Sequence, residues 1–133
     1  MSKKEEAVKR HDKGYNCAQA VACSFAEELG IDEQELFRSM EAFGFGMGCM
    51  GTCGAVSAMA AVAGLKESDG NMDAPGSKRN SYKLSKAMIR EFEEKVGSTI
   101  CAEIKGVETG KVLRSCEGCI EDAAEIVDKH LSL

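Results

Sequence analysis

Apolar residues recur along the chain at intervals of three and four, which is the spacing of one face of an α-helix. The first such segment covers residues 3–29 and is followed by Gly30, the kind of residue that commonly ends a helix. Its apolar face consists of Ala18, Val21, Ala22, Phe25, Ala26 and Leu29. Gly14 interrupts the segment, so we predict a helix that is broken or kinked there.

Two further helices are predicted in the middle of the chain. Asp32 followed by Glu35 has the pattern of a capping box, which predicts a helix over residues 33–43. Thr52 is a candidate N-cap for the next helix, which runs to about Leu65. This helix is rich in Ala, Val and Met and carries no charged residue, so we predict that it is central and buried.

The C-terminal half contains three more helical segments. Ser77 is a candidate cap for a helix that ends at Gly97. One stripe of that helix consists of Tyr82, Ser85, Ile89, Phe92 and Val96. A short helical turn is predicted over residues 98–104, and the last helix follows a loop and ends near Leu131.

The chain shows no segment of useful length in which apolar and polar residues alternate with a period of two, so β-strands are not predicted. The pattern therefore predicts an all-α protein. We expect a single-domain helical bundle of about five main helices, with a buried central helix, over residues 1–133.

Composition narrows the function classes. The chain is 44% hydrophobic and 29% charged, which is typical of a globular protein. Its net charge of -5 argues against nucleic acid as the main partner, because phosphate contacts need clustered Lys and Arg. The longest apolar stretch, Ala55 to Leu65, is too short to span a bilayer, so no membrane insertion is expected. The start of the chain lacks the apolar region of a secretory signal, and we predict a cytoplasmic location.

Seven cysteines stand out against this background. Cytoplasmic thiols are kept reduced, so such a count indicates metal binding or redox chemistry more than a disulfide framework. The alternative is that the cysteines are inert, because a free cysteine also behaves as a small buried hydrophobe.

The cysteines fall into four groups along the predicted helices. They are Cys17 with Cys23, Cys49 with Cys53, Cys101 alone, and Cys116 with Cys119. Six residues separate Cys17 from Cys23, about 240° of helical rotation, so these two do not share a face. Cys116 and Cys119 form a Cys-x-x-Cys pair at the start of the last helix.

Three of the groups lie at or near predicted helix N-termini, where unpaired backbone N–H groups favour anions such as a thiolate. Such a position lowers the pKa of a cysteine. The stretch "GFGMGCMGTCG", residues 44–54, adds glycines, among them Gly54, which let backbone N–H groups approach a sulfur or a ligand. Alternatively, these glycines only permit close helix packing.

At these residues the chain resembles the C_GCAxxG_C_C family, which is described as redox-active. The resemblance covers "YNCAQAV", "FGFGMGCMGTCGAVSAM", "GSTICAEIKG" and "CEGCIEDAAEIV". Four cysteines recur in that family, and they correspond here to Cys17, Cys53, Cys101 and one of Cys116 or Cys119. Ala58 stands where the motif has its second glycine, while Cys23, Cys49 and the second member of the 116/119 pair are additions to the four.

The resemblance implies a small helical protein with a redox role and an iron-sulfur site. In this interpretation Cys17, Cys53, Cys101, Cys116 and Cys119 are the candidate metal ligands, with Gly54 beside the cofactor. Zinc suits the chain less well, because it typically uses two Cys-x-x-Cys knuckles and only one is present.

Two other functions remain open. In a metal-free thiol-disulfide protein, Cys53 or the pair Cys116 and Cys119 would supply the attacking and resolving thiols, and no cofactor is needed. In a non-catalytic interaction module, the cysteines are inert. If the protein is an enzyme, we expect an oxidoreductase. Its redox partner is not specified by the sequence, and a homodimer is left open.

Overall fold

The computed structural model describes residues 1–131 and folds them entirely into helices and loops. These residues form eight α-helices. They are α1 (Lys3–Asp12), α2 (Cys17–Cys23), α3 (Ala26–Leu29), α4 (Glu33–Met40), α5 (Gly54–Glu67), α6 (Lys78–Val96), α7 (Cys101–Lys105) and α8 (Cys116–Leu131). The predicted all-α class is confirmed, and the larger number of helices comes mainly from the N-terminal segment. That residues 1–133 make up one domain stays a prediction.

The N-terminal segment divides into three helices for local reasons. Gly14 has a φ of 118°, a conformation that other residues rarely adopt, and the chain turns there. Asn16 then starts α2: its side chain accepts the N–H of Gln19 at 3.0 Å, while the Gln19 side chain accepts the N–H of Asn16 at 3.0 Å. At the end of α2, the Ser24 hydroxyl donates to the carbonyl of Ala20 at 2.7 Å, and α3 follows after a short break.

The helix predicted to be central is indeed buried. Residues of α5 that are shielded from solvent include Ala55, Val56, Ala58, Met59, Val62 and Ala63. This helix packs against α2, α6 and α8, and its many alanines let these neighbours approach closely. Fully buried Phe25 and Phe92 complete the core. Each large apolar side chain buried in this way contributes roughly 1.5–3 kcal/mol.

Two predicted helix starts are wrong, and a third lacks the predicted capping bond. Helix α5 begins at Gly54, since Thr52 instead pairs with Ile100 in an isolated antiparallel bridge. The short helix begins at Cys101 because the Ser98 hydroxyl accepts the N–H of Ile100 and holds residues 98–100 in a turn. Ser77 does precede α6, yet its hydroxyl donates to Asp69 at 3.3 Å and does not cap the helix.

Of two other details, one differs from the prediction and one agrees with it. Tyr82, placed on the apolar stripe of α6, is 67% exposed, and burial on this helix begins with Met88. Asp32 does cap α4 by accepting the N–H of Glu35 at 3.1 Å. In residues 1–131, no helix combines the length and the apolar character needed to cross a membrane. The cytoplasmic location remains a prediction.

Candidate thiol site

Five of the seven cysteines line one cavity of about 190 Å³. They are Cys17, Cys53, Cys101, Cys116 and Cys119. These residues belong to segments far apart along the chain, and they are the same five that the sequence singled out as candidate ligands or redox thiols. Both members of the Cys-x-x-Cys pair reach the cavity, so the structure does not set one of them apart from the other.

Four helices begin at this cavity, and a cysteine stands at the start of each. Cys17, Cys101 and Cys116 are the first residues of α2, α7 and α8, and Cys53 occupies the N-cap position of α5. The unpaired N–H groups at the start of a helix carry partial positive charge. The cavity is therefore an environment in which a thiolate is stabilised.

Backbone pairing brings Cys53 beside Cys101. The N–H of Cys53 donates to the carbonyl of Thr99 at 2.8 Å, and the N–H of Cys101 donates to the carbonyl of Gly51 at 2.7 Å. Between these bonds lies the bridge from Thr52 to Ile100. This short pairing holds the starts of α5 and α7 together at the cavity.

Gly54 lets α2 approach the start of α5. A Cβ at this position would lie 3.0 Å from the carbonyl oxygen of Phe43, 3.2 Å from the nitrogen of Ala18 and 3.3 Å from the Cβ of Cys17. The glycine thus permits close packing of the segment that carries Cys17. Ala58, the departure from the family motif, is fully buried one turn later in the core.

The Cys53 sulfur is surrounded by hydrogen-bond donors. The Cys119 thiol donates to it, and this bond is the main reason that the pKa of Cys53 falls to about 7. Burial opposes the shift, whereas the backbone N–H groups of Ala55 and Val56 and the nearby charge of Lys105 support it. At neutral pH, a large fraction of Cys53 is therefore thiolate.

Cys17 and Cys119 hold their protons more firmly than Cys53 does. The pKa of Cys119 is raised, first by its hydrogen bond to Cys53 and then by burial. Burial raises the pKa of Cys17 to about 12, with smaller contributions from Cys116 and Cys53 and from a hydrogen bond to Cys116. The thiols thus form two hydrogen-bonded pairs, Cys53 with Cys119 and Cys17 with Cys116.

Lys105 supplies a positive charge at the cavity. Its Nζ donates to the Cys116 sulfur at 3.4 Å and lies 5.6 Å from the centre of the Phe45 ring. Phe45 has a φ of 55°, a left-handed conformation that is strained in a residue with a side chain. Burial depresses the pKa of Lys105, but the Cys116 sulfur outweighs it, and the net pKa is raised.

Two cysteines lie away from the cavity. Cys23, at the end of α2, is 1% exposed, and its thiol faces the carbonyl of Glu33 at 3.8 Å. Burial raises the pKa of Cys23 to about 11. Cys49 is exposed on the glycine-rich turn, where its thiol donates to the carbonyl of Gly46 at 3.5 Å. The resemblance to the family counts both of them among the additions to its four cysteines.

Sequence reasoning missed three charged or titratable side chains of the cavity wall: His11, Lys105 and Arg114. Lys105 carried a usable signal, because it lies four residues after Cys101 and therefore on the same face of α7. Arg114 crosses Gly118 of the Cys-x-x-Cys turn to form two hydrogen bonds, 3.0 and 3.1 Å, with buried Asp122. No local pattern could have revealed that contact.

A metal centre is the other chemistry predicted for the cavity cysteines. Within residues 1–131, no group of three or more His, Cys, Asp or Glu side chains is arranged so that it could hold a metal ion. All five cavity thiols nevertheless lie around one space, and the pKa of Cys17 responds to both Cys116 and Cys53. Binding of an iron-sulfur cluster or zinc by these thiols stays a prediction.

Comparison with known proteins places this geometry in a family. No curated protein and no solved structure matches the chain significantly. One family model does match, over residues 15–130, and its description is "Putative redox-active protein (C_GCAxxG_C_C)". The matched segment includes all five cysteines of the cavity and most of the bundle. The chain therefore belongs to the C_GCAxxG_C_C family of putative redox-active proteins.

Proposed function

We propose that the protein is a dithiol-disulfide redox protein in which Cys53 is the attacking thiolate and Cys119 is the resolving thiol. The observation that carries the proposal is that Cys53, at the N-cap position of α5, lines one cavity with Cys119, whose hydrogen bond is the largest cause of the low pKa of Cys53. A nucleophilic cysteine needs thiolate character at neutral pH and a second thiol within reach. Cys53 has both.

The reaction is an exchange with a disulfide substrate. The Cys53 thiolate attacks one sulfur of the substrate, the substrate S–S bond breaks, and its other sulfur leaves as a thiolate. The Cys119 sulfur then attacks Cys53, a Cys53–Cys119 disulfide forms, and the second half of the substrate leaves and receives the proton of Cys119. One substrate disulfide is reduced to two thiols, and one protein dithiol is oxidised.

The hydrogen bond between Cys53 and Cys119 sets the order of the two attacks. While Cys53 is a thiolate, its hydrogen bond keeps the proton on Cys119 and raises the pKa of Cys119. Once Cys53 is bonded to substrate, its negative charge is gone, and that restraint on Cys119 is removed. The resolving thiol is thus inactive before the first attack and is activated by it.

Ligation of an iron-sulfur cluster is the second candidate, and it stays a prediction. The observation in its favour is that five cysteines line one cavity, since four thiolates ligate [2Fe–2S] and [4Fe–4S] clusters. The paired thiols and the lack of a three-ligand group among the described residues favour the dithiol function.

The test uses the reduced protein, purified without oxygen, and hydroxyethyl disulfide, a small neutral reagent. After acid quenching and alkylation, peptide mapping should find one intramolecular link, between Cys53 and Cys119. Cys53→Ser should give no link and remain folded, because serine is a favourable N-cap residue for α5. Cys23→Ala is the matched control and should behave as the parent protein.

Two results would overturn the proposal. One is a link formed equally well in Cys53→Ser, which would place the reactive thiol elsewhere. The other is stoichiometric iron with visible charge-transfer absorption in the anaerobic protein, lost in Cys53→Ser but not in Cys23→Ala. That result would establish the iron-sulfur function instead.

A further inference from the structure

The proposed function uses two of the cavity thiols and leaves another contacting pair unused. Cys17 and Cys116 are hydrogen-bonded to each other at the starts of α2 and α8. Both are partly exposed. Cys116 also accepts a hydrogen bond from the Lys105 Nζ at 3.4 Å.

The two pairs differ in accessibility. Cys53 is 6% exposed and Cys119 is 2% exposed, so a large partner cannot bring its own sulfur in line with either of them. A small disulfide can reach Cys53 through the cavity, whose volume of about 190 Å³ is slightly larger than an engineered 150 Å³ cavity that binds benzene. The outer pair, Cys17 and Cys116, is the one that meets solvent.

A single helical turn connects the inner pair to the outer one. Cys116 and Cys119 are three residues apart on α8, a spacing that places their Cβ atoms about 5–6 Å apart. A disulfide needs its two Cβ atoms about 3.5–4.5 Å apart, so the start of α8 must tighten by about 1 Å for this link to form. Cys17, Cys53, Cys116 and Cys119 all line the same cavity.

We propose that these four cysteines form a relay that moves a disulfide from the inner pair, Cys53 and Cys119, to the outer pair, Cys17 and Cys116, where a protein dithiol reduces it. The relay rests on the proposed function, since the inner disulfide must form first.

Each step exchanges one bond for another. The Cys116 thiolate attacks the Cys119 sulfur, the Cys53–Cys119 bond breaks, and Cys53 leaves as a thiolate. The Cys17 sulfur then attacks Cys116, the Cys116–Cys119 bond breaks, and the proton of Cys17 passes to Cys119. No net oxidation occurs in these two exchanges. A protein dithiol finally reduces the Cys17–Cys116 disulfide and is itself oxidised to a disulfide.

The environment of the inner pair gives the relay its direction. Donors around Cys53 stabilise the reduced inner pair, which makes the inner disulfide the more oxidising of the two. A thiol that is stable as a thiolate is also the better leaving group. Lys105 assists the same step at the attacking sulfur, because its Nζ donates a hydrogen bond to Cys116.

The relay is tested by following disulfides in time. Reduced protein is mixed with hydroxyethyl disulfide, quenched at intervals and mapped, and its re-reduction by thioredoxin, a small protein dithiol, is measured separately. The parent protein should show the Cys53–Cys119 link first and the Cys17–Cys116 link later. Cys116→Ala should form the first link at the parent rate but be reduced by thioredoxin at least about tenfold more slowly.

Two further variants sharpen the result. Cys17→Ala should stop the transfer at the Cys116–Cys119 link, because the thiol that attacks the Cys116 sulfur is missing. Cys23→Ala removes a thiol that lies away from the cavity, so it should match the parent protein in both measurements. Circular dichroism checks that each variant is folded.

The failures of the two proposals are distinguishable. If the inner disulfide persists in the parent protein and thioredoxin reduces Cys116→Ala as fast as the parent, the relay is wrong and the dithiol function stands. If no Cys53–Cys119 link forms in any variant, both are wrong.

Discussion

Cys53 and Cys23 are both buried, at 6% and 1% exposure, yet their sulfurs have opposite chemical characters. The pKa of Cys53 falls to about 7, while the pKa of Cys23 rises to about 11. Cys53 precedes α5 and receives hydrogen bonds from Cys119 and from backbone N–H groups. Cys23 ends α2, and its thiol faces a carbonyl oxygen, which favours the protonated form.

This difference teaches that burial does not decide the reactivity of these cysteines. Loss of water disfavours the thiolate at both places. At Cys53, hydrogen-bond donors and the positive charge of Lys105 outweigh that loss. At Cys23, by contrast, the charge of Arg10 only partly offsets it and the charge of Glu33 adds to it. The donors and charges around a cysteine sulfur are thus as important as its depth.

The largest expected effect comes from removing one sulfur or the other. Ultraviolet titration of the reduced parent protein should show a thiolate that forms as the pH rises through about 7. Cys53→Ser should abolish this transition, and Cys23→Ala should leave it unchanged. If the transition survives in Cys53→Ser, the thiolate that forms near pH 7 is not Cys53, and the contrast with Cys23 is wrong.

The same titration has a consequence for stability. The folded-state pKa of Cys53 is depressed, so its contribution is present above the ordinary thiol pKa and is lost as the pH falls through about 7. The stability difference between the parent protein and Cys53→Ser should therefore grow by about 1 kcal/mol from pH 6 to pH 8, measured by urea unfolding. A difference that shrinks over this range would contradict the shift.

Removal of the Cys119 thiol, which donates to Cys53, is expected to have a smaller effect. Cys119→Ala removes the largest cause of the low pKa of Cys53, so the titration midpoint should rise by about one pH unit. Cys119→Ser is the matched control, because its hydroxyl can still donate, and it should restore part of the shift. Equal midpoints in the two variants would mean that the backbone N–H groups of α5 stabilise the thiolate without Cys119.

The smallest effect separates packing at the cavity from packing elsewhere on α5. Gly54→Ala places a Cβ 3.0–3.3 Å from Phe43, Ala18 and Cys17, whereas Gly64→Ala meets nothing within 4 Å. Gly64→Ala should stabilise the protein by about 0.5–1 kcal/mol in thermal unfolding. Gly54→Ala should not gain this stability, because its Cβ crowds the neighbouring atoms. It should also shift the pH midpoint of the Cys53 titration. Identical results for the two variants would show that the start of α5 tolerates a side chain.

Much of the fold could be predicted from spacing alone. Apolar positions at intervals of three and four identified α6 and α8, because each helix must bury one face. A capping box identified α4, and an uncharged stretch rich in Ala, Val and Met identified α5. The errors at Thr52, Ser77 and Ser98 share one cause. A hydroxyl near a helix start has several competing partners, and the choice between them depends on groups that lie elsewhere in the fold.

The candidate site was only partly accessible to sequence reasoning. Cys53 and Cys116 could be singled out because helix starts and the Cys-x-x-Cys spacing are local features. His11 could not, because the break at Gly14 and the packing of α1 bring it to the cavity wall. The same limit applies to Arg114, whose partner Asp122 is buried on the following helix.

The sequence by itself determined that the protein is helical, that its central helix is buried, and that several cysteines stand where helices begin, since these properties depend on residues a few positions apart. Only the tertiary structure decided which sulfurs meet. Cys53 contacts Cys119 and Cys17 contacts Cys116 because four helices start at one cavity. A thiol's pKa depends on donors and charges within a few ångströms, and distance along the chain does not specify that neighbourhood.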